Sequence, residues 1–153
     1  MSPLKNLLRT KCIRNSALAL PSPVLTIPTM GVVLVVDDDE FTCEAIRRLL
    51  GRMGYATACA NSGSDALELI EQVKPDVIVL DWMMPQMDGL AVLRKLRSNP
   101  QTKDVPVLVY SAADDATMQN QAAKLGAQEC VLKSGGFYPL YERIERYTAD
   151  HAS

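Results

Sequence analysis

The chain has 153 residues, 48% of them hydrophobic, and a formal net charge of -2, which fits one globular domain with its own core and leaves no room for a second large one. No stretch approaches about 18 uninterrupted apolar residues, so no transmembrane helix and no membrane partner are expected. The charge is uneven: residues 1–36 hold Lys5, Arg9, Lys11 and Arg14 and no acid, so subtracting those four leaves the rest with a net charge of about -6, which argues against a nucleic-acid partner.

Residues 1–30 form an acid-free stretch in which Pro21, Pro23 and Pro28 break any helix begun near Leu4. They read as an N-terminal extension, either disordered or outside the true product, which would then begin at Met30. A targeting signal is the other reading of a basic start, although proline interrupts its apolar segment SALALPSPVLTIP. Cys12, Cys43, Cys59 and Cys130 are scattered, with no CxxC pair and no histidine near them, which points to a reduced, cytoplasmic protein rather than a zinc site. His151 lies in the polar C-terminal tail, where no chemistry is expected of it.

From Gly31 to about residue 150 short apolar runs alternate with helical periods, as in an α/β domain. The runs are VVLVV at 32–36, YATACA at 55–60, DVIVL at 76–80, VPVLVY at 105–110 and ECVL at 129–132. Three are nearly continuous in hydrophobicity, as parallel strands covered on both faces require. After the first run, Ala45, Ile46, Leu49, Leu50 and Met53 recur at helical spacing, and Gly54 is placed to end that helix in a left-handed conformation. After the second, Ala66, Leu67, Ile70 and Val73 form a stripe stopped by Pro75; after the third, Leu90, Leu93 and Leu96 follow Asp88 as a cap. A fourth helix is expected from a cap at Asp114 to Leu125, with Gly126 behind it, on a thin stripe of Ala116, Met118, Ala122 and Leu125. Pro139, Leu140, Ile144 and Tyr147 mark the fifth. Five strand and helix pairs in about 120 residues are too few for an eight-fold barrel, so an open, doubly wound, five-stranded parallel sheet is predicted.

In such sheets ligands bind beyond the carboxyl ends of the strands. There stand Asp37 and Asp38 after the first run, Asp81 after the third, Ser111 after the fourth and Lys133 after the fifth. Singly, each has an ordinary role: a strand-end Asp forms a turn, a Ser bonds local backbone and a Lys reaches for water. Together, acids crowded on one rim repel unless a cation joins them. Oxygen ligands of this kind, few in number and supplemented by water, suit Mg²⁺ better than Ca²⁺. Asp81 then stands as a nucleophile toward a phosphoryl group whose charge Ser111 and Lys133 could stabilise.

LVVDDDE, VIVLDWMMPQMDG, VLVYSA and VLKS, in this order at successive strand ends, resemble the receiver domain of two-component response regulators over Gly31 to about Thr148. The resemblance implies the flavodoxin-like (βα)5 fold with strand order 2-1-3-4-5, occupying residues 31–150. It implies Asp81 as phosphoacceptor, and Asp37, Asp38, Asp81 and the Met83 backbone carbonyl as Mg²⁺ ligands, Asp38 more directly than Asp37. Ser111 becomes the switch hydroxyl and Lys133 the phosphate-pairing lysine, while Pro85 and Gly89 match the turn after the phosphoacceptor. Asp39 and Glu40 fall outside the pattern and are expected to favour a helix start.

Three positions depart from the family pattern. Ser134 follows Lys133 where a proline with a cis peptide is usual, so a trans bond is expected. Cys130 replaces an aromatic residue and is expected to pack inward as a small apolar side chain; Tyr110 could report the switch in its place, but packing with its hydroxyl bonded is the stronger expectation. Met83 and Ala113, two residues beyond the phosphoacceptor and the switch hydroxyl, cannot orient water by hydrogen bonds, so slow self-dephosphorylation is expected.

The implied function is a stand-alone response regulator and not an independent enzyme. Asp81 would accept a phosphoryl group, with Mg²⁺, from a sensor histidine kinase or histidine phosphotransfer protein. That event would switch binding of a downstream protein through the face of the fourth helix, fifth strand and fifth helix, or feed onward passage of the phosphoryl group. The chain ends at Ser153 soon after the last helix, so no DNA-binding output is expected within it. One rival is a constitutive receiver-shaped binding module, motivated by Cys130 and Ser134; the intact acid, hydroxyl and lysine set counts against it. Another is a haloacid-dehalogenase-type hydrolase, against which Met83 counts, because a general acid is expected there.

Overall fold

The computed structural model describes residues 29–84 and 88–151, so the expectations about residues 1–28, Pro85 and the His151 side chain lie outside what is described. The elements in chain order are β1 (Val32–Val36), α1 (Glu40–Arg52), β2 (Ala56–Ala60), α2 (Gly63–Gln72) and β3 (Val77–Leu80). They continue with α3 (Gly89–Ser98), β4 (Val107–Ser111), α4 (Ala116–Lys124), β5 (Glu129–Leu132), a 3-10 turn (Lys133–Gly135) and α5 (Phe137–His151). The strands form one sheet in the order β2-β1-β3-β4-β5, every neighbouring pair parallel, as expected.

Burial on both faces explains the apolar strands. Val33 and Val35 of β1 point to the layer of α1 and α5, where they meet Cys43, Ile46, Leu50, Leu140 and Ile144. Leu34 and Val36 point to the opposite layer of α2, α3 and α4, with Ile70, Leu93, Leu96 and Ala122. Each fully buried Val or Leu side chain contributes about 1.5–3 kcal/mol relative to exposure, so the central strands anchor the fold.

The register brings the acid-bearing strand ends together. Val36 lies opposite both Ala60 of β2 and Leu80 of β3, so β1 and β3 end level with each other at the point where the winding reverses. The ladder runs one residue further on each side: Asp37 N–H donates to Ala60 O at 3.0 Å and Asp81 N–H to Val36 O at 2.8 Å. The main chain of both acids is therefore held by the sheet rather than by a loop.

Helix ends follow local chemistry. Asp39 caps α1, accepting from Phe41 N–H at 3.0 Å and from the Thr42 hydroxyl at 2.7 Å, and Gly54 leaves that helix with φ 93°. Asp88 caps α3 through Ala91 N–H at 2.9 Å. The cap of α4 is a correction: Asp115, not Asp114, accepts from Thr117 N–H at 2.8 Å and Met118 N–H at 3.3 Å. Asp114 instead accepts from the Gln119 side chain at 3.0 Å. Two adjacent aspartates are equivalent as capping signals, and the phase is set by burial of Met118 and Ala122, which starts the helix one residue later. β4 is also shifted: Pro106 has no N–H for the ladder, the strand begins at Val107, and Ser111 is its last residue rather than the first beyond it. Among the described residues there is no cis peptide, so Lys133–Ser134 is trans as expected.

One structural hub has no sequence signature. The Arg97 guanidinium at the end of α3 donates to the carbonyls of Thr102 and Val105, each at 3.0 Å, and to that of Gly126 at 2.8 Å. It ties the loops before β4 and β5 together.

Candidate functional site

Asp37 and Asp81 are buried and Asp38 exposed, and a carboxylate oxygen from each lies within 4.8 Å of the others. Asp37 and Asp38 arrive from β1 and Asp81 from β3, across 44 residues of chain, because the parallel register levels those two ends. Lys133, delivered by β5, reaches across the rim: its Nζ donates to Asp37 Oδ2 at 2.7 Å and lies 3.7 Å from Asp81 Oδ1. Asp37 Oδ1 accepts from Asp39 N–H at 2.9 Å, and Asp81 Oδ1 accepts a longer bond from Met83 N–H at 3.4 Å.

The electrostatics follow from this crowding. Burial first, and then the charge of Asp37, raise the Asp81 pKa from an ordinary 3.8 to about 6, against the opposing pull of Lys133 and the Met83 N–H. Burial works against the Lys133 ammonium, but its hydrogen bond and charge interaction with Asp37, and then Asp81, outweigh that and leave its pKa raised. The lysine is thus a fixed cation between two acids. The Thr42 hydroxyl and Phe41 N–H hold Asp39 below the usual carboxylate range, in keeping with its role as a cap pointing out of the acid group.

The remaining predicted residues fall around this centre. Ser111 is buried at the end of β4, its Oγ accepting from Ala113 N–H at 3.1 Å. Met83 exposes 70% of its surface, so its side chain offers nothing to the acids, and its N–H is the group in contact with Asp81. Tyr110 is packed, with its hydroxyl donating to Gly136 O at 3.1 Å and its ring centroid 5.8 Å from Lys133 Nζ. Cys130 is half-buried against the α2, α3 and α4 layer, and that burial raises its thiol pKa.

Gly89 matters through close approach rather than an unusual backbone angle. A Cβ there would stand 2.7 Å from Trp82 Cα and 2.9 Å from Asp81 O, distances that real side chains do not tolerate. Only glycine lets the start of α3 lie against the strand end that carries Asp81. Trp82, in the core beside it, accepts the Gly89 N–H at 2.8 Å through its carbonyl.

Asn61 escapes the sequence-based reading. It is the first residue past β2, on the same rim, and its Nδ2 donates to the Asp37 carbonyl at 3.0 Å. The rule that singled out the other strand ends also points to it, but an uncharged amide carries no obvious chemistry of its own. The direct pairing of Lys133 with Asp37 was equally hidden.

The donor set is hard oxygen, and the repulsion that raises Asp81 is of the kind a divalent cation relieves, so these residues fit Mg²⁺.

Residues 33–145 match the family model of the response regulator receiver domain. Among curated relatives, the chain is 40% identical over 112 residues to response regulator MprA of Mycobacterium leprae, an alignment covering 73% of this chain and 48% of that protein. The chain thus spans about half the length of the curated relatives it matches. Among solved structures it is similar to the Francisella response regulator 1452 receiver domain, at 33% identity and TM-score 0.72, covering 79% of this chain and 98% of that one. It is also similar to chemotaxis protein CheY4 of Vibrio cholerae, at 27% identity and TM-score 0.72, covering 78% and 99%. With its sheet order, its acids at the β1 and β3 ends and a family match over most of its length, the chain belongs to the response regulator receiver domains of two-component signalling.

Proposed function

We propose that this domain is a phosphorylation switch in which Asp81 accepts a phosphoryl group from the phosphohistidine of a sensor histidine kinase or histidine phosphotransfer protein. An Asp81 carboxylate oxygen attacks phosphorus, the bond from phosphorus to the imidazole nitrogen breaks, and an acyl phosphate forms as the imidazole leaves. Asp37, Asp38, Asp81 and the Met83 carbonyl would hold Mg²⁺. When bound, the ion neutralises the crowded acids and the phosphoryl oxygens. Lys133 pairs with a phosphoryl oxygen, and the Ser111 hydroxyl donates to another. The single observation that carries this reading is the convergence of Asp37, Asp38 and Asp81 within 4.8 Å, bridged by the Lys133 ammonium.

The output is a change in protein binding through α4, β5 and α5. Two conformations of similar energy are needed, and the phosphoryl group shifts them by its differential contacts. On this reading the exchange takes place in the cytoplasm; the free thiols of Cys43 and Cys130 support a reducing compartment, and among the described residues no helix is long and apolar enough to cross a membrane.

The test is incubation with acetyl phosphate or beryllofluoride, with and without Mg²⁺, followed by intact mass and by the fluorescence of Trp82 next to Asp81. A Mg²⁺-dependent response in the wild type that disappears in Asp81→Asn is expected. A wild type without such a response sinks the proposal.

A further inference from the structure

The carbonyl of Asp37 belongs to the planar peptide that joins Asp37 to Asp38, so whatever holds that plane aims both acids at once. It accepts from Asn61 Nδ2 at 3.0 Å and from Cys43 Sγ at 3.5 Å. Asn61 Nδ2 also lies 3.6 Å from Cys43 Sγ, and the Cys59 thiol lies 3.6 Å from the Cys43 carbonyl, so the end of β2 and the first turns of α1 meet at this point. Asp37 N–H is already bonded to Ala60, the residue before Asn61. The last residue of β2 and the first beyond it therefore grip both the N–H and the C=O of Asp37, although this strand end contributes no acid to the site.

This grip has a competitor. Lys133 holds the Asp37 carboxylate at 2.7 Å, and a peptide free to turn would let Asp37 follow the ammonium and carry Asp38 out of line. Asp38 is exposed, so its direction depends on its backbone more than on packing.

We propose that Asn61, together with the Cys43 thiol, is a positioning residue for the acid site: it locks the Asp37–Asp38 peptide so that both carboxylates face Asp81, and in doing so sets the affinity for the divalent cation. The inference rests on the phosphoacceptor reading above and adds to it a role for β2, with Asn61 acting through Asp37 and not on the phosphoryl group itself. A purely structural role, ending β2 just before the Ser62 cap of α2, would affect stability alone.

The experiment is a Mg²⁺ titration followed by calorimetry and by Trp82 fluorescence, repeated with beryllofluoride, with a thermal melt of every protein. The set is wild type, Asn61→Ala, Cys43→Ala, Cys43→Ser and Tyr55→Phe. The last removes the bond between the Tyr55 hydroxyl and Thr148 Oγ1, 2.9 Å long, at the opposite end of the sheet. Asn61→Ala is expected to bind Mg²⁺ about 10-fold more weakly, as is typical when a residue orienting a ligand is lost. Cys43→Ala loses less, Cys43→Ser recovers affinity because it keeps a donor, and Tyr55→Phe lowers the melting temperature without weakening Mg²⁺ binding. Wild-type Mg²⁺ affinity in Asn61→Ala overturns the inference whatever that variant's stability, and so does an equal loss of affinity in Tyr55→Phe. Should Asn61→Ala not fold, the two Cys43 variants decide, and equal affinity in both overturns it. A wild type with no Mg²⁺-dependent change removes the phosphoacceptor reading itself and this inference with it, whereas a responsive wild type beside an unaffected Asn61→Ala removes this inference alone.

Discussion

Replacing Asp81 by Asn should stabilise the metal-free protein at neutral pH, although it removes the residue at the centre of the site. The Asp81 pKa is raised from 3.8 to about 6 by burial and by Asp37. The folded state therefore holds that proton more tightly than the unfolded chain does, and ionisation of Asp81 opposes folding. Below pH of about 4 the carboxyl is protonated in both states and opposes nothing. As pH rises through about 6 the folded protein must ionise it as well, and the full penalty applies above. A rise of this size corresponds to about 3 kcal/mol, and relaxation of Lys133 and entry of water at the rim reduce what a melt reads to about 1–2 kcal/mol. Asparagine keeps an acceptor for the Met83 N–H and leaves the Lys133–Asp37 pair in place. The assay is urea or thermal unfolding in EDTA across a pH series; each kcal/mol moves the midpoint by roughly 4–8 °C in a domain near 100 residues. Added Mg²⁺ should stabilise the wild type by mass action and narrow the gap. If Asp81→Asn gains nothing at pH 7.5 in EDTA, or its gain is as large at pH 4, the crowding argument is wrong.

Gly89→Ala should destabilise by about 1–3 kcal/mol, because the new Cβ meets backbone at Trp82 and Asp81, and Trp82 emission should shift with it; unchanged urea stability would mean that α3 can draw back freely. Asp115→Ala should cost about 1 kcal/mol through loss of the α4 cap, while Asp114→Ala stays within about 0.5 kcal/mol, and the reverse order in denaturation would restore Asp114 as the cap. Arg97→Ala should cost about 2–3 kcal/mol, since three carbonyls lose a charged donor at once, and amide exchange should quicken in the loops before β4 and β5; a loss under about 0.5 kcal/mol would show that water replaces the guanidinium without penalty. With Met83 and Ala113 flanking the site, neither able to orient water, phosphorylated Asp81 should persist for minutes or longer in the purified protein, and a half-life of seconds by mass spectrometry would contradict this.

Element identity was legible because it is local. The runs at 32–36 and 129–132 coincide with β1 and β5, and Asp39, Asp88 and Gly54 act at helix ends where their side chains or backbone freedom direct them. Position at the strand ends singled out the acids, the lysine and the serine, and the family motifs supplied the order of the strands and the roles expected of those residues. The α4 cap was misplaced by one residue because two neighbouring aspartates offer the same signal and a thin apolar stripe does not fix the phase.

Contacts across the sheet are of another kind. That Lys133 takes hold of Asp37 across 96 residues, that Asn61 and Cys43 meet on one carbonyl, and that Arg97 closes two loops all depend on which strand ends come level and which helices share a layer. Propensity and periodicity describe a residue relative to its near neighbours in the chain. Placement relative to distant residues follows from parallel register and from packing of both sheet faces, and it exists only once the five strands are assembled.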